Sequence, residues 1–378
     1  MRKIGKIIAS VLSVAMIITS AGTSCVFADN SGLNINPRNK DVADLVVVES
    51  MGYEFTLHEL VGSDYSVTRE YHKAENGDGA LSVEKTRALL YALGMNDTEV
   101  NAHSDEELSD IANIETIGIT VTYSKENEVT GETVYLPEDI ALSGAELNLE
   151  QRELHASSKD QLIQDAYQDY IDIENGIIDP VTYEVNSSNP YVDTYMRITV
   201  SSSLVSGTSA TYKLSTYATW LTMPSFRWKD AVGVSANYCT LVAGSESGYY
   251  SYKQALTIEG NTTTSTIRTN ITGSNLKNPV NGNWYGAAGI FNLPNDGYDS
   301  STDSGVECTN LFAYITCKML VAQTSTTSFN VVGSYAHSKL SVAFSVGATF
   351  AEGSGGVSLT ATGVITQDKR EAVKTVYR

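Results

Sequence analysis

Four carboxylates crowd one short stretch of this chain: Asp296, Asp299, Asp303 and Glu307 lie within twelve residues. A hard divalent cation takes oxygen ligands in that number, so Ca2+ is the candidate cofactor, although the spacing follows no standard calcium loop and a solvated acidic loop has the same composition. Residues 74–85 place Asn76, Asp78, Gly79 and Leu81 at interior positions of an EF-hand-type loop. Ala74 and Lys85 stand where its first carboxylate and its closing bidentate acid belong, which makes the segment a tight glycine turn. His58, His72, His103, His155 and His337 are scattered, with no two-histidine helix motif and no Cys/His pairing of the kind zinc needs. Residues 244–248 resemble a nucleophile elbow only until their centre is read: it is Glu246, not serine. A glycosidase needs two acids roughly 5 to 10 Å apart, assembled by folding rather than by spacing. Asp230, Glu246, Glu259, Glu307 and Glu352, near the expected strands, are the acids available for that in the C-terminal half.

Aromatic residues point to binding. Trp220, Phe226, Trp228 and Trp284, with Tyr249, Tyr250, Tyr252 and Tyr285, fall in the part of the chain with few charges. Rings of this kind are core when they share a strand face with apolar neighbours, as Trp220 does with Tyr212 and Leu214. Trp284 and Tyr285 lie in the Gly- and Asn-rich stretch 281–289, which reads as a loop, so they are the candidate ligand-binding residues for an extracellular glycan or other cell-surface component. Residues 339–350 alternate Leu340, Val342, Phe344 and Val346 with small residues, the pattern of a pore-forming β-hairpin as well as of a solvent-facing strand. Residues 262–272 are polar on nearly every side.

The elements that must position these residues follow from charge and periodicity. Arg2, Lys3 and Lys6 precede an apolar run from Ile7 to Ile18, and Val26, Phe27 and Ala28 form a small-x-small site. Residues 1–28 therefore read as a cleavable secretory signal, the mature chain as secreted, with no transmembrane segment after cleavage. Residues 29–186 carry a net charge of −24 and residues 187–378 a net of +2, within a total of −19. That step suggests an acidic domain at 29–186 and a second domain at 187–378. Nucleic acid is excluded as a partner, because one half repels phosphate and the other has no basic cluster. Secretion turns the cysteines into a disulfide question: Cys239, Cys308 and Cys317 leave an odd count, and an uninterrupted strand over 309–320 would point Cys308 and Cys317 to opposite faces, so Cys239 is the better mate for either.

In the acidic half, residues 66–72 alternate as a strand, Ser82 caps a helix over 83–93 stopped by Gly94, and Ser104 with Glu107 makes a capping box for a short helix burying Leu108 and Ile111. Ile117, Ile119, Val121 and Tyr123 alternate as a strand with a hairpin partner at 133–136; the stretch from Pro137 reads as irregular; residues 158–173 read as an amphipathic helix. Beyond Pro180 helical periodicity ends. Alternating segments at 195–201, 211–221, 231–238, 249–258, 263–272, 309–320, 328–335, 339–350 and 356–365, separated by Gly and Asn turns, predict an antiparallel β-sandwich. The fold expected is an α+β N-terminal module followed by an all-β antiparallel sandwich.

Residues 86–123, with the helix end Ala92, Leu93, Gly94, Met95, the acidic turn Asp105, Glu106, Glu107, Leu108, and the alternating Ile and Thr strand after Ile111 and Ala112, resemble the N-terminal module of an uncharacterised family of secreted proteins of Gram-positive bacteria. In that family the module precedes a Ser/Thr-rich β region. The resemblance covers less than half of the chain; it implies secretion and carries no catalytic residue. The reading is a secreted or cell-wall-associated binding protein without catalysis. The alternatives are a secreted polysaccharide hydrolase using carboxylates of the β half, and a pore-forming, toxin-like protein masked by the acidic module.

Overall fold

The structure, a computed structural model, describes residues 44–62, 64–73, 81–127, 133–154, 193–205, 207–208, 210–224, 227, 229–258, 260–294, 296–299, 304–322, 326–341, 346–350, 355–361 and 365–377. The acidic half supplies strands β1 (Asp44–Ser50), β2 (Tyr53–Val61), β3 (Val67–His72), β4 (Thr116–Asn127) and β5 (Thr133–Leu136). Its helices are α1 (Val83–Ala92), α2 (Asp97–Val100), α3 (Asp105–Ile111) and α4 (Glu138–Leu154). The neutral half supplies β6 (Asp193–Leu204), β7 (Thr211–Trp220), β8 (Lys229–Asn237), β9 (Cys239–Leu241), β10 (Ser247–Ile258), β11 (Asn261–Asn270), β12 (Leu276–Lys277) and β13 (Val280–Asn281). It continues with β14 (Trp284–Asn292), β15 (Gly297–Asp299), β16 (Ser304–Val321), β17 (Ser328–Ser341), β18 (Val346–Phe350), β19 (Val357–Ala361) and β20 (Ile365–Tyr377).

Among the described residues all pairings are antiparallel, as the short alternating segments and tight turns require. Sheet A runs β1-β2-β3-β4-β6-β7-β16-β10-β11, sheet B runs β12-β14-β8-β17-β20, and β18 with β19 forms a small third sheet. Strand β6 shows how the layers are ordered. Met196, Ile198 and Val200 face sheet B and share a core with Val232, Val234 and Tyr335, while Arg197 and Thr199 face the helices and bond to Glu99. Almost every residue of β6 is therefore buried, on both faces. The helices cover the far face of sheet A, and β18–β19 covers the far face of sheet B, where Phe350 and Val357 pack with Trp284, Ile290 and Val332.

The step in charge is not a break in the sheet. Strand β4 of the acidic half pairs with β6 of the neutral half from Ile117↔Ser203 to Asn127↔Asp193, and one compact unit spans Asp44–Arg378. Buried cations of the neutral half lie against acids of the other: Arg197 on Glu99 at 2.9 Å, Arg370 on Glu126 at 3.1 Å, and Lys374 on Glu70. The opposite nets of the two halves are in part an internal complementarity, invisible in a charge count taken along the chain.

Capping chemistry reads through to the structure. Ser82 accepts from the Lys85 N–H, and Ser104 with Glu107 closes the expected box. The stretch after Pro137 is not irregular, however: it is helix α4. Its inward face is built from Ala141, Ala145 and the backbone at Gly144, which meets the Tyr195 ring, whereas Ile140, Leu142, Leu147 and Leu149 are exposed. Small residues face in and large apolar ones face out, so the helical period of hydrophobicity is erased. The helix expected at 158–173 lies outside the described residues. The segment expected at 356–365 holds β19, and β20, Ile365–Tyr377, is a further strand beyond it that the alternation did not predict, because its charged residues Arg370 and Lys374 are buried under sheet A rather than solvated.

Candidate functional site

Where sheet B and the last strands of sheet A diverge, they leave a pocket of about 210 Å³. Its floor is apolar and buried: Ile271, Ile290 and Phe291, each at most 4% exposed. Tyr250 forms one wall, and Lys229, Thr269, Asn270, Asn275 and Asn292 form the polar rim. The positions follow from the ladders. Tyr250 stands on β10 directly opposite Thr269 of β11, and Lys229 of β8 stands opposite Asn292 of β14. Tyr250 stacks on Phe291 at 4.8 Å and 15° and lies nearly parallel to Tyr252 at 6.5 Å. Phe291 meets Tyr335 edge-on at 6.1 Å, and Tyr335 meets Trp220 at 5.7 Å, so a file of rings runs from the pocket into the space between the sheets. Burial, with the nearby Cys308 and Tyr250, raises the Tyr252 hydroxyl, keeping it a neutral donor.

No carboxylate is among the residues that line the pocket. Asp230, the residue after Lys229, stands directly opposite Phe291 on the inner face of sheet B and lies deeper than the pocket, between the sheets. There it is fully buried, accepts from the Tyr335 hydroxyl, and lies 2.9 Å from His337 Nδ1. Trp220 Nε1 donates to the same tyrosine oxygen at 3.0 Å, and Arg370 covers the Trp220 ring at 4.6 Å. Burial and the Asp230 charge push the Tyr335 hydroxyl well above its ordinary value. This cluster is a buried polar core that ties β8, β17 and β20 to sheet A. Glu246 instead accepts from Asn278 at 2.9 Å at the surface, and Glu307 points outward. The structure does not bring these acids together as a facing pair; Glu259 and Glu352 lie outside the described residues.

The expected site residues fare differently from their placement in the sequence. Trp284 and Tyr285 are not on a loop: they open β14, and the polar stretch before them contracts to a two-residue turn, Gly282–Asn283, between the paired Asn281 and Trp284. Gly282 takes φ +58°, which is why that turn carries glycine. Trp284 is buried under the β18–β19 hairpin, its ring so close to the Gly355 backbone that no side chain fits there, and Tyr285 is half-buried on the other face. Asp296 accepts from Arg227 Nη1 and from the Cys308 N–H, both at 2.6 Å, and so anchors a turn. Asp299 sits in β15, Glu307 in β16, and Asp303 lies outside the described residues. Among the described residues no three metal-ligating side chains come together.

Cys239, Cys308 and Cys317 are all buried thiols, and burial pushes Cys308 up to about 11 and Cys317 up to about 12. The expectation that Cys308 and Cys317 face opposite ways fails at a bulge. Ser251 pairs with Phe312 and Lys253 with Thr309, so Asn310 and Leu311 together oppose one residue and the alternation of β16 flips. The two thiols then share a face but stand nine residues apart along the strand, about 30 Å, too far to bond.

The residues that sequence reasoning missed are Lys229, Asn270, Asn275, Phe291 and Asn292, drawn from separate segments. Only Tyr250 was visible beforehand, as one aromatic among several.

No protein-family model and no curated protein sequence matches this chain. Solved structures similar to it include the collagen-binding subdomain of the Enterococcus faecalis surface protein ACE, at 6% identity over 46% of this chain and 92% of that one, with a TM-score of 0.21. They also include Clostridium perfringens delta-toxin, at 9% identity over 49% and 85% with a TM-score of 0.19, and a pore-forming protein at 6% over 49% and 87% with 0.17. At such scores these likenesses carry no argument about what this protein does. No helix among the described residues is long and apolar enough to cross a membrane.

Proposed function

We propose that this protein is secreted and works outside the cell as a non-catalytic binding protein, and that the pocket at the diverging end of the sheets takes a neutral glycan. The observation that supports this reading is the lining itself: an apolar and aromatic floor, a rim of three asparagines and a threonine, one ammonium, and no carboxylate. Asparagine side chains both donate and accept, matching sugar hydroxyls that do the same, and aliphatic and aromatic walls suit the C–H face of a pyranose. Lys229 adds one more hydrogen-bond donor for a sugar hydroxyl. The test is a glycan array probed with the mature chain, residues 29–378. Wild-type protein is expected to bind a defined polysaccharide class, and Tyr250→Ala to weaken that binding by about tenfold, the loss of one aromatic contact worth about 1 to 1.5 kcal/mol. Absence of binding across bacterial and plant polysaccharides, or binding unaffected by Tyr250→Ala and Asn270→Ala together, overturns the assignment.

A further inference from the structure

The pocket is one end of a longer face. Strands β10 and β11 pair without a break in register from Tyr249↔Asn270 to Ile258↔Asn261, so the side chains that start in the pocket repeat at every second residue along both strands. Tyr250, in the pocket wall, is followed on the same side of β10 by Tyr252, Gln254, Leu256 and Ile258. Directly opposed residues share a face, so Thr269 of the pocket rim is followed in β11 by Ile267, Ser265, Thr263 and Asn261.

Solvent reaches this face progressively. Tyr250 and Tyr252 pack against the core between the sheets, Ile267 is half-buried opposite Tyr252, and Leu256 and Ile258 are 38% and 48% exposed. Two large aliphatic side chains therefore stand open at the end of a row that begins against Phe291. The charged residues of the two strands turn the other way. Lys253 occupies an alternate position, and Arg268 covers the Tyr249 ring at 3.5 Å, on the side where Tyr249 packs with Phe312 and Tyr314. What remains is an uncharged face: rings, aliphatic chains and one amide on β10, beside hydroxyls, one amide and Ile267 on β11.

We propose that this face continues the binding site, and that the protein holds a linear neutral polysaccharide, with one sugar in the pocket and the following ones laid along β10 toward Ile258. The inference rests on the pocket being a glycan site and extends it from one sugar to a chain. Tyr252, Leu256 and Ile258 offer apolar surface to the C–H faces of successive pyranoses, while Gln254, Ser265 and Thr263 both donate and accept, as sugar hydroxyls do. An anionic polymer would meet one ammonium, Lys229 at the pocket, and no cation along the row. The eight residue steps from Tyr250 to Ile258 span about 27 Å, several sugars long, whereas the pocket of about 210 Å³ is the size of a single sugar.

The test is calorimetric titration of the mature chain with cello-oligosaccharides and chito-oligosaccharides, both neutral and linear, from disaccharide to hexasaccharide. Affinity for one of the series is expected to rise by about tenfold or more from the disaccharide to the hexasaccharide. In Leu256→Ser/Ile258→Ser the hexasaccharide is expected to lose about tenfold while the disaccharide binds as it does to wild type. Both side chains are exposed, so the variant keeps the wild-type urea midpoint. Equal affinity for the two lengths, or a double variant that binds the hexasaccharide as tightly as wild type, confines the site to the pocket and overturns the inference while the pocket remains a glycan site. Binding of neither series also overturns it, and the glycan array then decides separately whether the pocket takes a sugar at all. Self-association of the free chain that the double variant abolishes would assign the exposed aliphatic residues to a second copy of this chain and overturns it as well.

Discussion

Two coverings of the same sandwich are built on opposite principles. The helical layer over sheet A is clasped by charge. Glu99 closes the capping box of α2 with the Asn96 N–H, receives Arg197 Nε and Nη2 at 3.0 and 2.9 Å, and accepts from Thr199 at 2.7 Å. Lys213 reaches Glu107, the closing residue of the α3 box, at 2.8 Å. The hairpin over sheet B is held by apolar contact and neutral hydrogen bonds. Breaking a buried ion pair strands a charge, so the first covering cannot lift without large cost. Lifting the second breaks no buried ion pair: it exposes apolar and small polar surface and frees the Glu371 carboxyl beneath Gly356.

The comparison breaks first at Glu99. Glu99→Gln leaves the Arg197 guanidinium buried without its counter-charge, and is expected to lower global stability by about 3 kcal/mol, read as a drop in the urea midpoint without a change of slope. A loss below about 1 kcal/mol would place this pair among exposed bridges and dissolve the contrast.

Phe350→Ala sharpens the other side. A buried phenylalanine truncated in a shared core costs about 3 to 5 kcal/mol. Here the cost is expected to fall on local opening: amide exchange in β18 and β19 accelerates strongly while the global urea midpoint barely moves. A matching fall in global stability would show the hairpin to be part of the main cooperative unit.

The smallest effect is one of pH. Burial pushes the Glu371 carboxyl, beneath Gly356, up to about 7 from an ordinary 4.5, although Lys369 pulls it down. The seated hairpin therefore holds a proton that an open one releases, and protonation favours seating. That contribution is full below about pH 4.5 and is lost as pH rises through about 7. Exchange protection of β18 and β19, corrected for intrinsic rates, is expected to be lower at pH 8 than at pH 5, and Glu371→Gln to flatten the difference. An unchanged slope in that variant would remove Glu371 from the seating of the hairpin.

Much of the secondary structure was legible because its signals are local. The Ser104/Glu107 box and the Ile117 to Tyr123 alternation need no distant partner to be read. Helix α4 was hidden because Ala141 and Ala145, not leucines, face inward. Strand β20 was hidden because Arg370 and Lys374 look solvent-bound until Glu126 and Glu70 are placed beside them. Of the candidate site only Tyr250 could be named, since the pocket is assembled from β8, β10, β11, β14 and the turn at Asn275. Trp284 misled because Asn and Gly beside it signal a turn but not how short that turn is.

The amino-acid sequence by itself determined the antiparallel strands, the helix caps and an uncharged amphipathic segment near the C-terminus, because periodicity and capping act over a few residues. Only the tertiary structure decided that the acidic and neutral halves share one sheet and that the amphipathic segment is seated on a second, because register and burial depend on partners tens to hundreds of residues away.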